Sequence, residues 1–219
     1  MVSFVTQIED MIGTEVFNDD GFVSQAIQDI GAEIVKVSPE ARLKECSLEV
    51  AVTSSGYSVS GKRVLEVHKS NYSATQMTAS NVARSKDSGS IYYATSTDPI
   101  YYFADSKVFI VIDGSEDSGT LVYVPSIPTS DGASAIVYNS TSIVNFPSEA
   151  VHILVTGAAA KCLQQLISLK NEKLQAYVQT EEDVELAQAE SLEIQSIQAQ
   201  YALLEGQYQK SLQSYLQPN

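Results

Sequence analysis

The sequence predicts an α+β protein: helices at both chain ends, with a small antiparallel β domain inserted between them. Three observations carry this. Apolar residues recur at steps of three and four near both ends; β-branched and aromatic runs bounded by Gly, Ser, Asp and Pro fill the middle; and two long helical stripes follow Pro147 with almost no loop between them. The expected organisation is an N-terminal helical segment over 1–47, a β-rich insertion over 48–146, and a long-helix pair over 147–219 that packs with the N-terminal helices.

The opening helix rests on Phe4, Val5, Ile8, Met11 and Ile12. Asp19, Asp20 and Gly21 then introduce Phe22, Val23, Ala26, Ile27, Ile30, Ile34 and Val35, one face of a second helix. Ser38-Pro39 interrupts it, because proline disfavours helix in the residue before it and lacks an N–H. Glu40 to Cys46 adds a short helical turn.

Strand candidates follow. Leu48 to Val52 alternates, and Val64, Leu65 and Val67 come after the Ser60-Gly61 turn. Ile91 to Tyr93, Ile100 to Phe103, Val108 to Ile112 and Leu121 to Val124 complete the set. Ala104 to Lys107 reads as a hairpin turn and Asp113-Gly114 as another. Ser70 to Ser90 and Pro125 to Ser134 read as loops.

Pro147 and Ser148 open the third long helix, with Val151, Leu154, Val155, Ala158, Cys162, Leu166 and Leu169 on one face. Thr180 to Asp183 resembles a capping box that restarts the chain as a fourth. Its stripe is Ala187, Ile194, Ile197, Tyr201, Leu204, Tyr208, Leu212 and Tyr215. Gln188, Gln195, Gln198, Gln200, Gln207, Gln209 and Gln213 stand where a solvated helix carries Lys and Glu, and neutral side chains sit against a neighbouring protein without the cost of desolvating charge. A polar solvent face explains them as well.

Composition removes several classes. The formal net charge of −14 leaves no basic face to grip nucleic acid. Solubility is the favoured explanation of the acidity; the alternative is an acidic surface that faces DNA without holding it. No apolar run long enough to cross a bilayer is expected. The N-terminus lacks a basic region and carries acids by Glu9 and Asp10, so no cleavable signal is expected. Cys46 and Cys162 are far apart, which fits isolated thiols in a reducing compartment.

Chemical motifs are scarce. His68 and His152 have no His or Cys at ligand spacing, so neither a metal nor another cofactor is expected. Ser60-Gly61-Lys62 is a turn rather than a phosphate loop, and no Gly-x-Ser-x-Gly elbow occurs. Glu181, Glu182 and Asp183 fit a helix start more simply than a cation site. Tyr92, Tyr93, Tyr101 and Tyr102 form either an aromatic binding face or half-buried strand and intersubunit positions, and the second is favoured. No catalytic residue is expected, and the chain is not read as an enzyme. The interface candidates are Tyr101, Tyr102, Tyr208, Leu212, Tyr215 and Leu216, the last three as apolar anchors left exposed in a free subunit.

The segment Asn145-Phe146-Pro147-Ser148-Glu149-Ala150, the alanine-rich run Val151 to Leu166, and the acidic restart with Ala187 and its aromatic stripe resemble the C-terminal helices of tailed-phage head-to-tail connector (adaptor) proteins. The strands around Thr97 to Tyr102 and Lys107 to Ile110 are similar to the β insertion of such proteins. The resemblance implies a virion protein of the neck, made in the host cytoplasm. It implies a ring of about twelve copies joined head to tail. Its partners would be the portal protein and tail or neck proteins, with DNA passing through an acidic lumen unbound and no membrane involved. Two other classes fit the composition: another tail or baseplate protein, and a hydrolase with a helical cap.

Overall fold

The computed structural model describes residues 2–13, 20–178 and 184–217. The capping box expected at Thr180 to Asp183, and Asp19 at the start of the second helix, lie outside the described residues. The protein is mixed α+β and divides into two units, residues 1–38 with 127–219 and residues 39–126. These borders differ from the expected 48–146 insertion, for local reasons given with each unit.

In the first unit, α1 (Phe4–Ile12) starts at Ser3, whose Oγ accepts from the Thr6 N–H, and ends at Gly13. Gly13 is left-handed (φ 75°) and its N–H closes on the Glu9 carbonyl. The helix α2 (Asp20–Val37) buries Val23, Ala26, Ile27, Ile30 and Ile34, at the spacing its sequence predicts. It stops at Ser38, as the following proline requires. Pro147 precedes a single 3-10 turn, Ser148–Ala150, which leads into a long helix, Val151–Val178; the second long helix is Val184–Leu216.

Two short helices of the other unit precede these in the chain, so the long helices are α5 and α6. Helix α5 packs against α1, α2 and α6. Leu154, Ala158, Ala159, Cys162 and Leu163 are buried. Gly157 marks a close crossing: a Cβ there would lie 2.8 Å from the Tyr208 ring and 2.9 Å from Ile30. Only glycine admits this approach of α2, α5 and α6. Farther along, Lys170 bonds Glu190 (3.0 Å) and Glu193 (2.7 Å). Gln200 donates to the Ile12 carbonyl (2.7 Å), satisfying an acceptor that the end of α1 leaves open.

Residues 127–146 belong to this unit because their polar backbone is spent on it. The Phe4 and Val5 N–H groups donate to Ser140 and Tyr138 carbonyls, and Gln28 donates to the Ile136 carbonyl. Pro128 occupies the space where a side chain on Gly31 would stand.

One expectation is corrected here. Ser148–Gln175 is long and apolar enough to cross a bilayer, although no such run was expected. Of its apolar window 61% is buried inside the unit, so core packing accounts for its composition.

Cys162 is fully buried, and burial pushes its thiol up to about 12. Cys46 is half-buried and raised less. Iodoacetamide at pH 8 is expected to modify Cys46 slowly in the native protein and Cys162 only after denaturation. Mass mapping of labelled peptides checks this; Cys162 reacting at the same rate with and without denaturant would contradict the packing.

The second unit opens with α3 (Glu40–Lys44), which packs on strands of this unit and so travels with it. The strands are β1 (Leu48–Val52), β2 (Tyr57–Ser58), β3 (Lys62–Lys69), β4 (Tyr72–Ser73), β5 (Thr75–Gln76), β6 (Ile100–Ala104), β7 (Lys107–Ile112), β8 (Ser115–Asp117) and β9 (Gly119–Pro125). One sheet has the order β1-β9-β3-β4; the other runs β2-β7-β6-β5, with β8 also on β7. All pairs are antiparallel except β5 with β6. Between the sheets lie Val52, Val67, Val108, Ile110, Ile112 and Leu121. The far side of β6 and β7 is covered by Val82 of α4 (Val82–Lys86) and by Ala94.

The turns explain the hairpins. Asp105 (φ 51°) and Ser106 (φ 58°) are both left-handed, the conformation a two-residue hairpin loop requires. Asp113 and Gly114 repeat it between β7 and β8.

Two expectations fail. Ile91-Tyr92-Tyr93 is not a strand: the Tyr92 N–H donates to Ser90 Oγ, the Tyr93 N–H to the Ser90 carbonyl, and Ile91 is 92% exposed. Local turn bonds from Ser90 outcompete a ladder. Ser70 to Ser90 is not one loop either, since it holds β4, β5, a 3-10 turn and α4.

Candidate functional site

Within the β unit, alternation along β6 sends its aromatics to opposite faces. Tyr101 and Phe103 meet edge to face, 5.7 Å apart. Tyr101 is half-buried and its hydroxyl donates to Gln76 (3.3 Å). Burial, with the Glu40 charge second, holds its pKa above the usual tyrosine range. Tyr102 faces the other way and is buried, stacked on Phe109 at 5.2 Å. Its hydroxyl donates to Glu116 Oε1 (2.8 Å), which also accepts from Lys86 Nζ (2.6 Å).

That triad has a pH signature. Burial, then the Glu116 bond, pushes Tyr102 up to about 12. The Lys86 bond, then the Tyr102 bond, lowers Glu116. The lowered carboxyl contributes stability above its unfolded value near 4.5, and loses it as pH falls through the folded value. The raised phenol contributes below its unfolded value of 10 and loses it as pH rises toward about 12. The Tyr102 ring signals in NMR are expected to stay constant between these limits. Titration of that ring near neutral pH would contradict the geometry.

An open polar cleft of about 360 Å³ is lined by Lys44, Glu49, Glu66, His68, Asn71 and Ser73, among others. Glu66 accepts from Lys44 Nζ and from Ser73 Oγ, both at 2.6 Å. The Lys44 bond, then the Ser73 bond, holds its carboxyl below the ordinary range. His68 stands opposite Ser73 in the β3–β4 register. Ser73 spends its proton on Glu66, and no hydrogen bond joins it to His68 among the described residues. A nucleophile activated by a base needs that second bond. The cleft therefore reads as a satisfied ion pair on the strand surface.

A basic-aromatic contact was not anticipated. Lys62 Nζ lies 5.4 Å from the Tyr57 ring centre and 5.6 Å from that of Tyr123. The three residues come from three strands, so no local spacing could have announced them.

In the helical unit, a groove of about 320 Å³ runs along α2 and α5 past Phe22, Asp29, Lys161 and Gln165. Lys161 bonds Asp29 at 3.0 Å. The Gln25 bond, more than Lys161, lowers the Asp29 pKa.

The tail anchors are placed differently from expectation. Leu212 and Tyr215 are 7% and 5% exposed, and only Leu216 is half-exposed. The Tyr215 and Ser38 hydroxyls are hydrogen-bonded at 3.1 Å, which fastens the end of α6 to the end of α2. Tyr208 is buried between α2 and α5, its hydroxyl without a well-formed hydrogen bond. Burial, then the nearby Glu33 charge, keeps its pKa well above normal. These side chains continue the core stripe, and a cut after Gln209 would remove part of the core. Of the six interface candidates, Tyr102, Tyr208, Leu212 and Tyr215 face the interior, and Tyr101 and Leu216 are half-exposed. The structure brings Tyr208, Leu212 and Tyr215 onto one helix face and Tyr101 and Tyr102 onto one strand.

Among the described residues, no three His, Cys, Asp or Glu side chains gather to hold a metal ion. No protein-family model matches the chain, and no curated protein matches it.

Proposed function

We propose that the chain is a structural protein of a tailed-phage neck, an adaptor whose copies close a ring of about twelve between portal and tail. In this reading α5 and α6 form a long antiparallel helix pair packed with the N-terminal helices, and the β unit is an insertion between them in the chain. The ring encloses a passive channel for DNA. Portal, tail and neck proteins are its partners, no membrane takes part, and its place is the virion.

The observation that supports this best is the division of labour along the chain. Both ends contribute helices to one unit, and residues 39–126 form a second, strand-rich unit. The segment Phe146 to Leu169, on which the resemblance is specific, leads through the Ser148–Ala150 turn into α5. The net charge of −14 adds a reason for DNA to slide rather than stick.

Two measurements test the proposal. Antibodies against the purified protein should label the junction of head and tail in electron micrographs of the virion. Label at the tail tip would replace the adaptor with a baseplate part, and no label would exclude a virion role. Fluorescence anisotropy should give no measurable affinity for duplex DNA at physiological salt. Tight binding that weakens steeply with salt would replace the passive channel with a DNA-gripping surface.

A further inference from the structure

Helix α6 carries a second stripe, on the side away from the core. Positions 185, 189, 192, 196, 199, 203, 206 and 210 are all exposed and follow steps of four and three without a break. That is a heptad seam along about 38 Å of helix. Its large members are Leu192, 67% exposed, and Leu203, 61% exposed. Its small members are Ala189, Ser196, Ala199 and Gly206.

The order of residues is two-fold symmetric in kind. Counting outward from the midpoint, Ser196 faces Ala199, Leu192 faces Leu203, Ala189 faces Gly206, and Glu185 faces Lys210. Two copies of α6 laid antiparallel would match leucine to leucine, small residue to small residue, and acid to base at both ends. A parallel pair would set glutamate on glutamate.

Gly206 is an independent sign. Glycine inside a helix costs about 1 kcal/mol relative to alanine. Its φ is not left-handed, and a Cβ added there meets nothing within 4 Å. The single chain gives no reason for a glycine, whereas a helix pressed close to that face does. Gln188, Gln195, Gln207 and Gln209 on the flanks are exposed and uncharged, and the flanking carboxylate of Glu193 is paired with Lys170. A chain of net charge −14 could otherwise not lay two like surfaces together without repulsion. Neither Glu185 nor Lys210 is in an ion pair among the described residues.

We infer that this face is an interface between two copies of the chain, in which α6 pairs antiparallel with α6 of the second copy about a two-fold axis. The contact is isologous and closes on itself. The heptad period asks for a slight left-handed coiling of the pair. This goes beyond the neck reading and does not rest on it: adaptor rings close through head-to-tail contacts, and a two-fold pair describes the free subunit.

Sedimentation or light scattering of the full chain is expected to give twice the 23.7 kDa subunit mass. Leu203→Asp is expected to give a monomer with an unchanged circular dichroism spectrum, because the residue lies outside the core. Lys210→Glu should weaken pairing by about tenfold, and Glu185→Lys combined with it should restore pairing. In a Cys46→Ser background, Leu192→Cys with Leu203→Cys should cross-link two copies, and neither change alone should do so. A monomeric wild type, a dimer indifferent to Leu203→Asp, or cross-linking by either single cysteine would overturn the inference.

Discussion

Gly157→Val is expected to be among the most damaging single changes in the helical unit. Its Cβ would stand 2.8 Å from Tyr208 and 2.9 Å from Ile30, closer than real Cβ contacts allow. Neither neighbour can yield, since both are 3% exposed and held by α6 and α2. Overpacking of this kind costs about 1–3 kcal/mol, and the two extra methyl groups of valine place it at the upper end. Gly157→Ala recovers about 1 kcal/mol of helix propensity and should therefore fall between wild type and valine. At ~2–4 °C per kcal/mol, the valine variant should melt roughly 6–12 °C lower. Ellipticity at 222 nm follows the helical unit, which matters because two units need not melt as one. A valine variant that melts with the wild type would show that the crossing is looser than described.

Leu154→Asp should be worse. Leu154 is fully buried on α5, with a terminal methyl 3.4 Å from the Cβ position of Gly31. An unpaired carboxylate there would need to ionise without water or a cation, or fold only as the neutral acid. The loss is about 4 kcal/mol or more, much of what a domain of this size has. The helical signal should be largely lost at 37 °C. Ile91→Asp is the matched control, because that residue is 92% exposed in a turn and the change should stay within about 0.5 kcal/mol. Equal melting of the two variants would contradict both burial assignments.

The helices were legible because their cores repeat. The α2 positions Val23, Ile27, Ile30 and Ile34, and the α6 positions Ile194, Ile197, Leu204, Tyr208 and Leu212, are buried where the spacing places them. The strands β1, β3, β6, β7 and β9 were also legible, from β-branched runs closed by turn residues. Ile91 to Tyr93 deceived for a specific reason: composition favours a strand, but the Ser90 backbone and hydroxyl capture the next N–H groups. The unit borders could not be read locally. Residues 127–146 have no periodic pattern, and what assigns them is hydrogen bonding to Phe4, Val5 and Gln28, more than a hundred residues away in sequence.

The candidate surfaces were less legible. Aromatic and apolar residues at the end of α6 were read as docking anchors, but a stripe cannot say whether it meets the same chain or another. Ser38 decides it for Tyr215, through a bond no local spacing reveals. Exposed Leu192 and Leu203 do not stand out in the sequence, because the stronger core stripe masks a weaker one on the opposite side of the same helix. Lys62 with Tyr57 and Tyr123 is not legible locally, because sheet register, rather than sequence distance, assembles it.

The neck proposal is tested most directly by counting copies on a portal. The full chain is mixed with the portal ring of the same virus, and the complex is weighed by native mass spectrometry. A discrete complex carrying about twelve copies is expected, one closed ring of subunits joined head to tail. A portal that gains no mass, or gains a variable number of copies, would contradict it.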